Sequence, residues 1–469
     1  MKKLITYQDL LQIGDGEKER LEFVLKIIND HKSSDLYQAA VFGEDYDKGR
    51  NTTIITYQKW LYKATGEKIP DIWSANYKMP SNFLHRFVTQ KIQTLLANGI
   101  SWNDEKTSEK LGTKKHPIDT QVKKLARNAS LHRVSYGFFN NDHIDIFTSK
   151  EFAPLYDEED GALKAGVRFW QIAANKPLRA VLYELDGYTE IIYKNGVGEI
   201  LKPKRPYKIK QRTSIIGGTE IYGGENYPTF PIVPMWADDR KISDLDPIRE
   251  QIDCFDLIKS GYADTVDEAS MIFWMLQNAG GMDNVDVEMF LKKIRESHAV
   301  VADDDVTVQP TSVQAPFEAR ETLLKRLEKD LYRDAMALDV ENIASGATTA
   351  TEIKAAYEPL NSKCDDLEYC IIDFLNRIME IAGIDDVPTF TRSRIVNVNE
   401  DVQVLLTSAP YLSEEYVTEK ILTLFGDGDK AAEMLKKMNA DSLERLATGY
   451  KGKSIPDDTN EPPQDTEGE

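Results

Sequence analysis

The residues in this chain that could do chemistry are few and poorly arranged for it. Glu352 and Lys354 form an E-x-K pair of the kind metal-dependent nucleases use to hold an ion and activate water. No strand bearing an aspartate precedes them. They open a helical pattern, so Glu352 reads better as a first-turn acid beside a capping Thr349 or Thr351. Asp45 and Asp47 in DYDKGR, and Asp427 and Asp429 in FGDGDK, begin like calcium loops but lack the later oxygen ligands and the closing glutamate. GDGEK at 14 and GDGDK at 426 lack the spacing and hydroxyl of a phosphate loop, which argues against ATP hydrolysis. The six histidines (31, 85, 116, 132, 143, 298) are scattered singly, and Cys254, Cys364 and Cys370 form no CxxC pair. The expectation is no catalytic residue, no metal and no cofactor.

Charge narrows the choice further. The formal net charge is −20 over 469 residues, a surface that repels nucleic acid rather than grips it. A protein through which DNA must slide could want that sign. The run LKPKRPYKIKQR, 201–212, carries six positive and no negative residues and reads as a solvated strand edge, where lysines guard against misplaced pairing. Asp303, Asp304 and Asp305 read as a hairpin turn that a symmetric ring would multiply into a negative collar. The longest apolar run, MIFWML from Met271, has six residues, and Gln8 and Asp9 break any signal core, so no membrane contact and an intracellular protein are expected. At this length two to four domains are the prior.

The elements that must position these residues fall into two textures. Leu21, Val24, Ile27 and Ile28 recur at helical steps within 16–40, and Phe83, Phe87, Val88, Ile92 and Leu95 do so in a helix from Ser81 that Asn98-Gly99 stops. From about Leu131 to Ile216 short β-like runs follow, with RAVLYEL and YTEIIYK flanking Asp186-Gly187 as a hairpin. A helical half comes next. Asp246-Pro247 suits a helix start, and Ile248, Ile252, Phe255, Ile258, Tyr262 and Val266 form one stripe. A compact insert, 271–316, carries seven acidic and three basic residues and includes VEMFLKKIRE and the strand-like HAVVADDDVTVQP. A second long helix from Phe317 aligns Leu324, Leu327, Leu331, Ala335 and Leu338. The stretch ENIASGATT, 341–349, is small and nearly uncharged. It leads into a long helix with Ile353, Tyr357, Leu360, Cys364, Leu367, Ile371, Phe374, Ile378 and Ile381 on one face and a bend expected at Pro359. Two short helical patterns, EEYVTEKILTLF and KAAEMLKKM, precede a tail predicted to be disordered.

In this order the pieces resemble the portal proteins of tailed double-stranded DNA phages, particularly long-tailed phages of Gram-positive hosts. The resemblance rests on SANYKMPSNFLHRFVTQKIQTLLANGI at 74–100, with Asn76, Lys78, Asn82, Phe83, Val88 and Asn98-Gly99, on ISDLDPIREQIDCFDLIKS, and on LEKDLYRDAMALDVENIASGATTATEIKAAYEPL with Ser345-Gly346 and Tyr357 to Leu360. It implies an α+β, portal-type subunit with an α/β wing over 1–245, stem helices at 246–270 and 317–340, and a small α/β clip at 271–316. A tunnel loop at 341–350, a long wing helix at 351–395, a helical crown at 396–450 and an acidic tail at 451–469 would complete it.

The resemblance also implies roles and partners. Asn342, Ser345, Gly346, Ala347, Thr348 and Thr349 would line a DNA channel. Asp303, Asp304, Asp305, Lys292 and Lys293 would lie in the part that meets the motor or connectors. The subunit would form a ring, usually of twelve copies, at one capsid vertex of the virion, assembled in the host cytoplasm. Partners would be the large terminase subunit, head-completion or adaptor proteins, the major capsid and scaffold proteins, and double-stranded DNA passing without sequence specificity during packaging and ejection. The alternatives are another head-tail connector protein, or a nuclease built on Glu352 and Lys354.

Overall fold

The computed structural model describes residues 5–14, 16–63, 66–72, 74–104, 106–213, 219–269, 273–277, 307–311, 317–341, 350–393, 402, 405–424 and 434–437. The chain divides into two compact units, Met1–Ser393 and Arg394–Glu469. Among the described residues no helix is long and apolar enough to cross a membrane.

The first unit is built on two antiparallel sheets. A five-stranded meander runs Phe152–Tyr156, Leu163–Trp170, Leu178–Glu184, Gly187–Lys194 and Val197–Arg205, with neighbours in sequence paired in space. The helix Glu17–Lys32 covers one face by packing Leu21, Val24, Ile27 and Ile28 against Leu155, Val167, Leu182 and Ile191. The opposite face sends Phe152, Val181 and Tyr183 into the main core. A three-stranded sheet, in the order Ile232–Trp236, Val134–Asn140, His143–Thr148, lies beneath the helices Ile118–His132 and Ala350–Ala382. Gly137, in the central strand of this sheet, lets the long helix Ala350–Ala382 approach: a Cβ there would sit 2.5 Å from the Phe374 ring.

The structure moves several expected boundaries, each for a local reason. The pattern over 16–40 is two helices, because Ser34 caps a new one, Asp35–Asp47, by accepting the Tyr37 N–H. The hairpin after Leu178–Glu184 turns at Leu185-Asp186, and Gly187, at φ +138°, already pairs with Glu184. The first stem-like helix begins at Arg249 rather than 246. The Asp246 carboxylate turns back to accept the Ser243 N–H at 2.7 Å and to bind Arg133, leaving Pro247 in the preceding turn. The second, Phe317–Asp334, stops before 340 because Met336 adopts a left-handed φ of 53°. The long helix runs unbroken through Pro359. The helix Ile118–His132 lies where no element was expected. Of the basic run 201–212, the part in the strand Val197–Arg205 lies at a sheet edge, with Lys202 paired to Glu190 at 2.8 Å.

Of the insert, the described residues form one antiparallel pair, Phe273–Gln277 with Thr307–Thr311. The two stem-like helices are antiparallel: Gln251 hydrogen-bonds Asp334 at 2.6 Å, and Tyr262 meets Phe317 edge-on at 5.7 Å. In the second unit, Glu414–Leu424 is helical, as EEYVTEKILTLF predicts.

Candidate functional site

The residues assigned to a channel loop (Asn342, Ser345, Gly346, Ala347, Thr348, Thr349) and to a docking tip (Lys292, Lys293, Asp303, Asp304, Asp305) lie outside the described residues. The structure instead defines what holds their roots. Three helices meet there. Phe83 and Phe87, from Phe83–Leu96, stack at 5.8 Å; Phe83 meets Phe255 of the first stem-like helix at 5.1 Å, and Phe87 meets Tyr332 of the second at 5.2 Å. Such edge-on aromatic pairs add about 0.5–1.5 kcal/mol each to their burial.

Two polar devices flank this aromatic joint. Just past the second stem-like helix, the Gln90 side chain donates to the Leu338 carbonyl at 3.0 Å and accepts the Leu338 N–H at 2.9 Å. The amide thereby imitates a strand partner and fixes the chain four residues before Asn342. Next to it, Lys91 is buried and its ammonium lies 2.6 Å from Asp244. Lys363, from the long helix that follows the loop, reaches the same carboxylate at 3.5 Å and donates to the Ala335 carbonyl at 2.8 Å. Burial pushes the Asp244 carboxyl up, but the ammonium groups of Lys363 and Lys91 outweigh it and hold it below its ordinary value. Burial pushes the Lys363 ammonium down. Gln90 therefore ties the chain before residue 342 to the helix Phe83–Leu96, and Asp244, through Lys91 and Lys363, ties the helix after it.

The second device is a polar ladder. Asp256, Ser260 and Asp264 accept the backbone N–H groups of Ser81, Met79 and Tyr77 at 2.9, 3.1 and 2.7 Å. The spacing explains itself: four residues climb about 6 Å along a helix, and two residues span about 6.6 Å along an extended chain. The segment 77–81 therefore runs antiparallel to the helix, matched rung for rung, and Pro80, which has no N–H, falls between rungs. Asp256 is fully buried and also takes the Asn51 amide at 2.8 Å; burial pushes its carboxyl up, against the pull of those hydrogen bonds. Asp264 is locked from the far side by Lys59 at 3.0 Å.

This geometry mounts the helix pair on the helix Phe83–Leu96. Glu352 and Lys354 sit on the exposed side of the long helix, Glu352 in its first turn. Among the described residues, no three His, Cys, Asp or Glu side chains could hold a metal ion together. Asp47 is engaged by Arg127 at 2.6 Å and by His85 at 3.1 Å. Sequence reasoning missed the ladder and the lysine joint. A signal existed: acceptors at 256, 260 and 264 recur every four residues on the side of the helix opposite its apolar stripe.

The family of phage portal proteins described as SPP1 Gp6-like matches residues 26–444. The portal protein of Bacillus phage SPP1 is 24% identical over 426 residues, covering 82% of this chain and 79% of that one. That of Clostridium phage phiCD119 is 24% identical over 195 residues, covering 39% and 43%. Among solved structures, the neck of an empty gene transfer agent particle computed with C6 symmetry matches with a TM-score of 0.44 and 12% identity over 73% of this chain and 90% of that one. The neck of the native particle computed with C12 symmetry matches with 0.43 and 11% over 72% and 89%.

Proposed function

The chain belongs to the SPP1 Gp6-like family of phage portal proteins, and on that premise we propose that copies of it close into a ring whose bore passes double-stranded DNA. Portal function at the capsid vertex follows from the family, whose match spans 26–444 and is the observation that carries the reading. A ring of about twelve subunits, in the virion, is the finer proposal. In it the α/β body to 245 and the long helix form the wing. The pair Arg249–Ala269 and Phe317–Asp334 forms the stem, 271–316 the clip, 341–350 the tunnel loop, and 396–450 the crown.

The joint supports this arrangement. A loop that touches a moving polymer needs fixed roots, and Gln90, Lys91 and Lys363 fix both of its ends. A stem needs its foot anchored in the wing, and the ladder Asp256–Ser260–Asp264 anchors it. The outer half of the first stem helix leaves Val266 half exposed, a surface that neighbouring copies can cover. The clip, with Lys292, Lys293 and Asp303 to Asp305, would dock the terminase motor during filling and head-completion proteins afterwards. The long-range excess of negative charge keeps a phosphate backbone mobile in such a bore.

Removing the gene for this chain from its phage tests the reading. Heads that assemble without DNA are expected, and heads that fill normally without it would refute the function.

A further inference from the structure

A cavity of about 370 Å³ opens where Tyr57 and the extended segment 76–78 meet residues 257–264 of the first stem-like helix and Arg320 and Leu323 of the second. That is near the small end of the range for ligand pockets, about 300–1,000 Å³. Three cations line it, Lys59, Lys78 and Arg320, against one carboxylate, Asp264; three minus one leaves +2. Asp264 is fully engaged, since one oxygen accepts the Tyr77 N–H and the other binds Lys59 at 3.0 Å. Lys78 and Arg320 have neutral partners. The Lys78 ammonium donates to the Tyr57 carbonyl and to Asn76 Oδ1 at 2.8 Å. Arg320 Nη1 donates to the Gly261 carbonyl at 3.1 Å and to the Thr265 hydroxyl. Burial pushes the Lys78 ammonium below its ordinary value; Asp264 pulls the other way, and Lys59 adds to the push.

Hydrogen bonding within the cavity leaves donors in excess. The Tyr57 and Gly261 carbonyls and Asn76 Oδ1 each already accept from a cation. Because the ammonium takes Oδ1, the free end of the Asn76 amide is its NH₂ group, with two donors. Those hydrogens, and the Nε and Nη2 hydrogens of Arg320, meet no acceptor among the described residues. Gly261 is a second, independent sign. It lies in the middle of Arg249–Ala269, where glycine is less stable than alanine by about 0.5–1 kcal/mol. A Cβ there would meet nothing within 4 Å, so no described neighbour requires the glycine, and the space it leaves belongs to the cavity.

We propose that this cavity binds a phosphate group, held by Arg320, Lys78 and the Asn76 amide above the bare backbone at Gly261. The Nε–Nη2 edge of a guanidinium matches two phosphate oxygens, and an ammonium serves as a point charge beside it. A phosphate dianion balances the +2 of the lining, which a single carboxylate would leave half uncompensated. The bound group joins the segment 76–78 to the second stem-like helix. It thus adds to the hold that Asp256, Ser260 and Asp264 have on that segment from the first. Free phosphate and a DNA backbone share this chemistry, and the binding needs no closed ring.

Thermal unfolding and calorimetric titration of the full chain at constant ionic strength test the site. Exchanging sodium chloride for sodium phosphate should raise the unfolding midpoint, as a ligand of the folded state does, and sodium acetate should not. Arg320→Met and Lys78→Met should each weaken phosphate binding at least about tenfold. Gly261→Leu fills the space and leaves every charge in place. It should abolish binding while keeping or raising the midpoint without phosphate, which separates loss of the site from loss of the fold. A short DNA duplex in place of phosphate distinguishes the sources. A shift with the duplex alone, lost in the same three variants, assigns the site to a DNA backbone; a shift with inorganic phosphate assigns it to free phosphate. A rise that the variants retain is a general salt effect and overturns the site. Equal shifts with acetate and phosphate, or no shift with either phosphate source, overturn it as well.

Discussion

The Asp264 carboxylate accepts the Tyr77 backbone N–H at 2.7 Å through one oxygen and binds the Lys59 ammonium at 3.0 Å through the other. A single side chain on the stem-like helix thus holds both the extended segment leading to Phe83 and Lys59, which precedes the paired strands Trp60–Tyr62 and Lys68–Pro70. Replacing it by alanine leaves a backbone donor and a part-buried ammonium without that acceptor. Asp264→Ala should cost about 1–3 kcal/mol in chemical denaturation. Ser260→Ala, which removes one neutral hydrogen bond, should cost about 1 kcal/mol.

The Lys91–Asp244–Lys363 joint predicts an asymmetry between its two cations. Lys91 is more deeply buried and closer, at 2.6 Å, whereas Lys363 stands at 3.5 Å and its charge is disfavoured by burial. Lys91→Met should destabilise by about 3 kcal/mol, because Asp244 loses its nearest countercharge in the interior. Lys363→Met should cost only about 1 kcal/mol, the order of its lost bond to the Ala335 carbonyl. Equal losses from the two variants would contradict the assignment of Lys91 as principal partner.

The same joint fixes a pH dependence. Asp244 has a folded pKa below the ordinary carboxylate value, so the folded state binds its proton less readily than the unfolded chain does. Its contribution is therefore complete above about pH 4 and is lost as pH falls through the depressed folded value. Parent and Asp244→Asn proteins should differ most in denaturation midpoint near neutral pH, with the difference shrinking below pH 4. A difference that grows on acidification would reverse the sign.

Gly43 tests the packing of the first unit. A Cβ there would lie 2.0 Å from the Leu131 backbone carbonyl oxygen, an atom that cannot swing aside. Gly43→Ala should cost about 1–3 kcal/mol, although alanine is the better helix former by about 1 kcal/mol. A thermal midpoint at or above that of the parent would show that the helix can shift.

These sites were unequally legible in the sequence. The helix Phe83–Leu96 could be read because Phe83, Phe87, Val88, Ile92 and Leu95 are bulky and Gly99, at φ +75°, marks its end. The helix Ile118–His132 buries Ala126 and Ala129 along with Val122 and Leu125, and alanines give a faint stripe. The ladder was hidden because Asp256 and Asp264 occupy the side of their helix that periodicity assigns to water, and only the extended 77–81 segment turns that side inward. The channel loop and clip came from the family resemblance alone.

The small residues of the loop predict a separable defect. Gly346→Phe or Ala347→Phe should leave rings intact, since the roots at Leu338 and Lys363 are untouched, yet impair DNA packaging. Packaging at the parent rate by both variants would remove the case for a specialised loop.

The central claim is that this chain works as a closed ring around a channel. Electron cryomicroscopy of the purified full chain tests it most directly. The account predicts closed rings of about twelve subunits, each with a central opening. A uniform population of monomers at high protein concentration, or of compact particles without an opening, would contradict it.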